Sequence, residues 1–435
     1  MIKNTINILL FGLISSTVFS QNTLTTQQAV DITLTNNYGI QIAKNNIQIA
    51  QNNTDKKANG YLPTVDARGG LNADLGGSTQ KFSGGMEVAT SNALAWDGNA
   101  GVAANYTVYN ERREAVLEQL KENLNLTNLQ LRQTIENNLI QVYNQYYELA
   151  RLATNLNVLQ QTIETSRQRL ERAQIGLDYG QGSGLDVLNA QVDIQRDSVN
   201  ILNAQQALVN AQRRLNVVMG RTTTETFSVD TTVNYATNLT LVNLQTAALE
   251  NNVNLLLNRQ NLVINEMDLN IIDAEKKPIV TADASYNFNY SNAATGSFIE
   301  SSNNRGFGLG VGVAWNLYDG GARDIRTQNV QVQLLNQRLQ QSQIIQEIER
   351  DVINRWGDYQ NALFVLDVEK SAVETNRENF ERTKEEQKIG QISSIEYRQA
   401  QLNLLNAETN LNTARFAAKV IEMELLQLSG QLLGQ

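Results

Sequence analysis

Two periodicities of apolar and polar residues divide the chain. In the first, Leu404, Leu411, Ala418 and Leu425 fall seven apart, with Ala407, Ala414, Ile421 and Leu428 three residues further on. The same stripe stands 210 positions earlier as Ile194, Ile201, Leu208 and Leu215, accompanied by Ala204, Ala211 and Val218. Upstream, Ile345, Val352, Tyr359 and Leu366 map by that offset onto Ile135, Val142, Leu149 and Leu156. A stripe of period 3.5 is a coiled-coil seam, and its alanines let helices approach closely. The pattern predicts long helices over roughly 111–178 and 321–388. Each is followed by a Gly/Ser turn and a return helix, over 185–219 and 395–429. At 1.5 Å per residue the longer pair spans about 100 Å, far beyond what a globular helix needs.

The second periodicity is two. Val280, Ala282, Ala284, Tyr286, Phe288 and Tyr290 alternate with polar residues, and Phe307, Leu309, Val311, Val313, Trp315 and Leu317 alternate mostly with glycine. A weaker version runs through Val65, Ala67, Leu71, Ala73 and Leu75, and through Val102, Ala104, Tyr106 and Val108. Such alternation predicts strands with one apolar face. Pro63 and Pro278 stand at the start of each strand pair, where a missing N–H is tolerated. The stretches 76–99 and 291–305, rich in Gly, Ser, Asn and Thr, are expected as exposed hairpin loops.

Both patterns are written twice. Residues 171–191 and 381–401 share Glu171, Arg172, Gly180, Gln181, Ser183, Ala190 and Gln191 with Glu381, Arg382, Gly390, Gln391, Ser393, Ala400 and Gln401, and the offset holds to Gly220 and Gly430. The expected organisation is a leader over 1–20 and a first repeat over 21–220. A linker over 221–238, a second repeat over 239–430 and a tail over 431–435 follow. Each repeat carries a helix, two strands, a long helix and a return helix.

Composition narrows the function. The chain has neither Cys nor His, which excludes disulfides, thiolate chemistry, Cys/His metal sites and Ser-His triads. No cofactor is expected. A net charge of −9 argues against a nucleic-acid partner. Lys3, the apolar run Ile6 to Ile14 and Val18-Phe19-Ser20 read as an export signal, and the run is too short for a spanning anchor. No later segment is apolar enough to span a bilayer as a helix. An exported membrane protein of this kind must therefore use strands closed into a barrel. The Gly-rich face of 306–312 would line its lumen. Four strands cannot close a barrel, since about eight is the smallest number that does. A dimer giving eight strands and a trimer giving twelve both satisfy this argument.

The duplicated order of helix, strand pair, long helix, turn and return helix resembles the TolC family of outer-membrane efflux and secretion ducts. The resemblance rests on the corners Tyr106-Thr-Val-Tyr-Asn110 and Trp315-Asn-Leu-Tyr-Asp-Gly-Gly321 and on the tip segments Gly180–Gln191 and Gly390–Gln401. It implies a mainly α fold with a small β part. Long antiparallel coiled-coil helices would form a periplasmic α-barrel, and four transmembrane strands per protomer would join a trimeric twelve-stranded β-barrel. It also implies a passive duct in the outer membrane of a Gram-negative bacterium, working with a periplasmic adaptor and an inner-membrane transporter. Tyr106, Tyr286, Phe288 and Trp315 would face lipid.

By the same resemblance, Gly180, Gln181, Ser183, Gly390, Gln391 and Ser393 would form the adaptor-docking tips, and Asp186 and Glu396 would ring the aperture. Acidic residues also suit the first turn of a helix for its dipole and free N–H groups, which is the competing role for that pair. The sequence departs from the family pattern in three places. Gln399 stands where a second acidic residue is expected, and Gln387 and Ile392 stand where a Tyr and an Arg would brace the closed state. Cargo is open between small-molecule or metal efflux and type I protein secretion. Rivals from other classes are a secreted coiled-coil scaffold with a soluble sandwich and an exported enzyme.

Overall fold

A computed structural model describes residues 23–292 and 299–434. The expected leader and the middle of the second hairpin loop lie outside the described residues. In chain order the elements are β1 (Thr23–Leu24), α1 (Thr26–Asn36), α2 (Tyr38–Asn53), β2 (Thr64–Lys81), β3 (Glu87–Asn110), α3 (Glu111–Asp178) and α4 (Gly184–Met219). There follow β4 (Ser228–Val229), α5 (Leu241–Asn251), α6 (Val253–Ala274), β5 (Ile279–Asn292), β6 (Ser301–Ala314), α7 (Ala322–Lys388) and α8 (Ser394–Leu428). The fold is mostly helical with a smaller strand part. No helix among the described residues is long and apolar enough to cross a membrane.

The chain forms two compact units. Among the described residues, one lies within Met1–Tyr38, Glu136–Leu241 and Ile353–Gln427, and the other within Gly39–Ile135, Val242–Val352 and Leu428–Gln435.

The second unit holds a four-stranded antiparallel sheet in the order β2-β3-β5-β6. Two expectations about it are corrected. The stretch 76–99 is strand almost throughout, and the reversal takes only Phe82 to Met86. There Phe82 N donates to Met86 O at 2.9 Å, and Gly85 supplies φ +85°. Small and hydroxyl residues do not oppose an extended backbone once a partner strand supplies the ladder, and Leu94 and Trp96 keep the alternation. The fourth strand ends at Ala314, so Trp315 and Leu317 lie beyond it. The Asp319-Gly320-Gly321 corner, with both glycines at positive φ, turns the chain into α7 instead.

The helix preceding each strand pair is also interrupted, at an asparagine. The Asn37 amide donates to Val218 O at 2.8 Å, and the Asn252 amide donates to Leu428 O at 2.9 Å while its oxygen caps α6. Each break leaves a carbonyl against the end of a return helix. A Cβ on Gly220 would sit 2.4 Å from Asn36 O, and one on Gly430 would sit 2.4 Å from Asn251 O. Both glycines also hold left-handed φ, +69° and +68°. Gly220→Ala and Gly430→Ala are each expected to lose about 1–2 kcal/mol from the φ alone. The clash adds to that, and a fall in melting temperature for both variants is the check.

The first unit contains both hairpin turns and a two-residue parallel pairing of β1 with β4. The buried Tyr146 hydroxyl donates to Leu24 O at 2.8 Å and lies 3.1 Å from Asp230 O, fastening that pairing to α3.

Candidate functional site

The sheet sorts its side chains by row. On one face Val65, Ala104, Ala284 and Leu309 lie in register, and the next row is Ala67, Val102, Tyr286 and Phe307. Tyr106, Ala282 and Val311 form another. On the opposite face the rows are Thr64, Asn105, Asp283 and Gly310, then Arg68, Gly101, Asn287 and Gly306, then Asn72, Asp97, Ser291 and Ser302. The apolar face is open: Phe307 and Leu309 are both 86% exposed. Tyr106, Tyr286 and Phe288 share that face, and Tyr286 packs on Phe307 with ring centroids 4.7 Å apart. Trp315 stands apart from them, its indole N–H donating to Lys276 O at 2.9 Å.

Two glycines of the polar face lie directly against polar side chains of β5. A Cβ on Gly310 would meet the Asp283 carboxylate at 2.7 Å, and one on Gly101 would meet Asn287 Oδ1 at 2.4 Å. Polar side chains of β5 lie across their neighbours, and glycine leaves room for them.

Where the strands pass into the long helices, one arginine holds each corner. Arg113 Nη1 donates to Gly60 O at 2.8 Å and Thr107 O at 3.1 Å. Arg323, 210 positions on, pairs with Asp319 at 3.1 Å and donates to Asn316 O at 3.2 Å. Beside it Glu275 takes Arg326 at 2.6 Å and Arg112 at 3.1 Å. The Arg326 bond, opposed by partial burial and aided by Arg112, holds the Glu275 carboxyl below its ordinary range. Its stabilising share is therefore present above the ordinary glutamate pKa and is lost as pH falls through the lowered value.

The two hairpin turns are built alike. Gly180 and Gly390 take φ +72° and +75°. In the first turn Gln181 N donates to Gly176 O at 2.8 Å and Gly180 N to Leu177 O at 3.0 Å. In the second, Gln391 N donates to Glu386 O at 2.9 Å and Gly390 N to Gln387 O at 3.1 Å. This is the glycine-ended helix stop that satisfies the last free carbonyls. Ser183 and Ser393 then start the next helix: the Ser183 hydroxyl accepts from Leu185 N at 3.1 Å and that of Ser393 from Glu396 N at 3.2 Å.

Asp186 and Glu396 each lie in the first turn of their helix, and among the described residues no bond joins them. The Glu396 carboxylate accepts from Ser393 N at 2.8 Å and from its hydroxyl at 2.9 Å, closing a capping box. Those two bonds hold its pKa below the ordinary value. Glu396 thus serves the helix start, and its exposed charge survives further into acid. Three positions depart from the family pattern. Ile392 packs on Phe380, Tyr397 and Ala400, Gln399 bonds only its neighbour Asn403 at 2.8 Å, and Gln387 Oε1 is buried without a partner.

A different set of charges lies a turn or two deeper. Arg398 grips Asp197 with both terminal nitrogens, at 2.6 and 3.0 Å, and reaches Gln401 at 2.9 Å and Ser166 at 3.2 Å. Its Nε is 3.5 Å from Asp193, which also takes Arg169. Ser166 donates to Asp197 at 2.7 Å, and Gln401 donates to Thr162 O at 2.9 Å. Arg169, Asp197, Ser166, Arg398 and Gln401 are all buried. The sequence held one signal of this cluster. Asp197 lies seven residues before Ala204, on a seam position where the stripe demands an apolar residue.

The family model for outer membrane efflux proteins matches residues 29–221 and 244–431. The chain belongs to the outer membrane efflux protein family. Outer membrane protein TolC of Vibrio cholerae is 21% identical over 340 residues, covering 77% of each chain. Among solved structures, the CmeC outer membrane channel of Campylobacter jejuni superposes with a TM-score of 0.71 at 12% identity, covering 94% of this chain and 86% of its own. The open-state MtrE channel of Neisseria gonorrhoeae gives 0.67 at 14% identity, covering 94% and 89%. The efflux-family chain is an outer-membrane protein, and the relatives it matches are channels, not enzymes.

Proposed function

We propose that three copies of the chain close their sheets into one twelve-stranded barrel and continue it into the periplasm as a helical duct. The duct is the passive exit of a tripartite efflux system, joined at its hairpin turns to a periplasmic adaptor and powered by an inner-membrane pump. The observation that carries this reading is the sheet. Its outer strands β2 and β6 each keep one edge unpaired among the described residues, and one face is apolar and uncovered. Long edges of that kind must be paired or covered, and a hydrogen-bonded ring immersed in lipid satisfies both edges and face.

The two-fold internal repeat supports the same assembly in the helices. Within a chain, Asn412 of α8 bonds Asn155 of α3 at 3.0 Å. Their counterparts at offset 210 are Leu202 of α4 and Val365 of α7, which are 63% and 39% exposed. An α4–α7 contact between neighbouring copies would repeat the α8–α3 contact and bury both. Leu202→Cys with Val365→Cys, in a chain with no native thiol, is expected to give oxidised dimers and trimers on a denaturing gel. A ladder no stronger than that of either single variant would count against the ring.

In this reading Asp186 and Glu396, three of each, gather negative charge at the periplasmic mouth and favour cations. Gln also serves in a capping box, so Glu396→Gln removes charge and keeps the helix start. Glu396→Gln with Asp186→Asn is expected to reduce cation preference in planar bilayers. The wild-type preference should persist below the ordinary glutamate range, because the Glu396 pKa is lowered. Unchanged selectivity in the double variant would remove the aperture role.

A further inference from the structure

We infer that Arg305 binds the phosphate of a phosphorylated glycolipid in the outer leaflet, at one site per chain on the lipid side of the barrel. The inference rests on the barrel proposed above and names a ligand for its outer face.

The register fixes where Arg305 stands. Beyond the row of Tyr286 and Phe307, the next row on the apolar face is Gly69, Ala100, Phe288 and Arg305, and the one after it is Leu71, Gly98, Tyr290 and Asn303. Arg305 is the one charged residue in the rows that all four strands share on that face. Its side chain is exposed, and among the described residues it has no hydrogen bond or ion pair. A neighbouring copy would not supply a counter-ion either. The β2 strand that would pair with β6 in the ring presents Val65, Ala67, Gly69, Leu71, Ala73 and Leu75 on this face, none of them acidic. Glu300, the acidic residue nearest along the chain, precedes the strand.

Depth then sets the surroundings. Arg305 lies nine residues from Ala314, where β6 ends. Nine residues are about 30 Å of strand, which at a tilt of about 40° climbs about 23 Å, close to the full height of the apolar band at about 25 Å. The guanidinium therefore reaches the headgroup level at the hairpin end of the sheet. That end faces out of the cell when α3 and α7 run into the periplasm. A charge facing lipid is tolerated there and not at mid-depth. Aromatic residues flank it as they do at a membrane interface: Phe288 is its partner in the row, and the Trp96 and Tyr290 rings stand 4.9 Å apart further out.

The side chains select the ligand. A guanidinium is a planar fork that grips phosphate with two parallel N–H bonds. On the same side of β6, Asn303 and then Ser301 follow toward the hairpin end at steps of about 7 Å, and both are exposed. They offer donors and acceptors to sugar hydroxyls. A phosphate with a sugar ring beside it matches that order, whereas a glycerophospholipid has no ring to span the two steps.

The test is native mass spectrometry of the full-length oligomer, delipidated in mild detergent and titrated with bisphosphorylated lipid A, dephosphorylated lipid A or phosphatidylglycerol. The wild type is expected to bind lipid A at least tenfold more tightly than either of the other two. Arg305→Gln is expected to lose lipid A affinity at least tenfold, and Arg305→Lys to lose part of it, because an ammonium has no fork. Arg68→Gln, on the opposite face, is expected to bind as the wild type does. Dephosphorylated lipid A or phosphatidylglycerol held as tightly as lipid A, an Arg305→Gln oligomer with undiminished affinity, or an equal loss in Arg68→Gln would each overturn the inference. A wild-type protein that yields no oligomer from membranes would instead overturn the proposed function.

Discussion

Leu309→Arg is expected to keep the chain out of the outer membrane, while Ser285→Lys, one row away on the opposite face, is expected to be accepted. Leu309 lies in register with Ala284, Ala104 and Val65, in the middle of the apolar rows, whereas Ser285 pairs with Gly308 among the polar ones. An arginine facing lipid at mid-depth costs about 2–4 kcal/mol, and a lumen-facing charge meets water. Three copies in one barrel carry the penalty together. The check is the amount of detergent-extractable oligomer recovered from membranes. Equal recovery of both variants would mean that the exposed apolar face does not meet lipid.

Arg323→Ala is expected to be the most destabilising single change at the strand-to-helix corners, because it removes one partner of a part-buried ion pair and two further hydrogen bonds at once. The Arg323 side chain is 11% exposed. Its loss strands Asp319 and leaves the Asn316 and Glu275 carbonyls without their donor. Arg113→Ala should cost less. Its guanidinium serves two carbonyls and lies 4.0 Å over the Tyr61 ring, with no ion pair to a carboxylate among the described residues. Urea unfolding of the detergent-solubilised protein measures both, and an equal or reversed order would contradict the ion-pair argument.

Much of this was legible beforehand. Period 3.5 gave the four long helices to within a residue at each end, because an uninterrupted seam ends where Gly180, Gly220, Gly390 and Gly430 take positive φ. The strands were found by period two, but their lengths were not. The residues between Leu75 and Trp96 read as loop, and only pairing between β2 and β3 makes them strand. Trp315 reads as a strand residue because alternation runs on past Ala314, whereas the strand ends there and the exposed indole donates its N–H to Lys276 O.

The cluster around Arg398 depends on side chains far apart in sequence, such as Ser166 and Arg398, and only Asp197 on a seam position marked it beforehand. The Glu396 carboxylate caps its helix without losing the charge that an aperture role requires.

The decisive measurement is the native mass of the protein extracted from membranes in mild detergent. Three chains in one particle are predicted: identical neighbours would pair the open edges of β2 and β6, and the resemblance to the TolC family sets their number at three. A particle of one chain, stable in water without detergent, would contradict it.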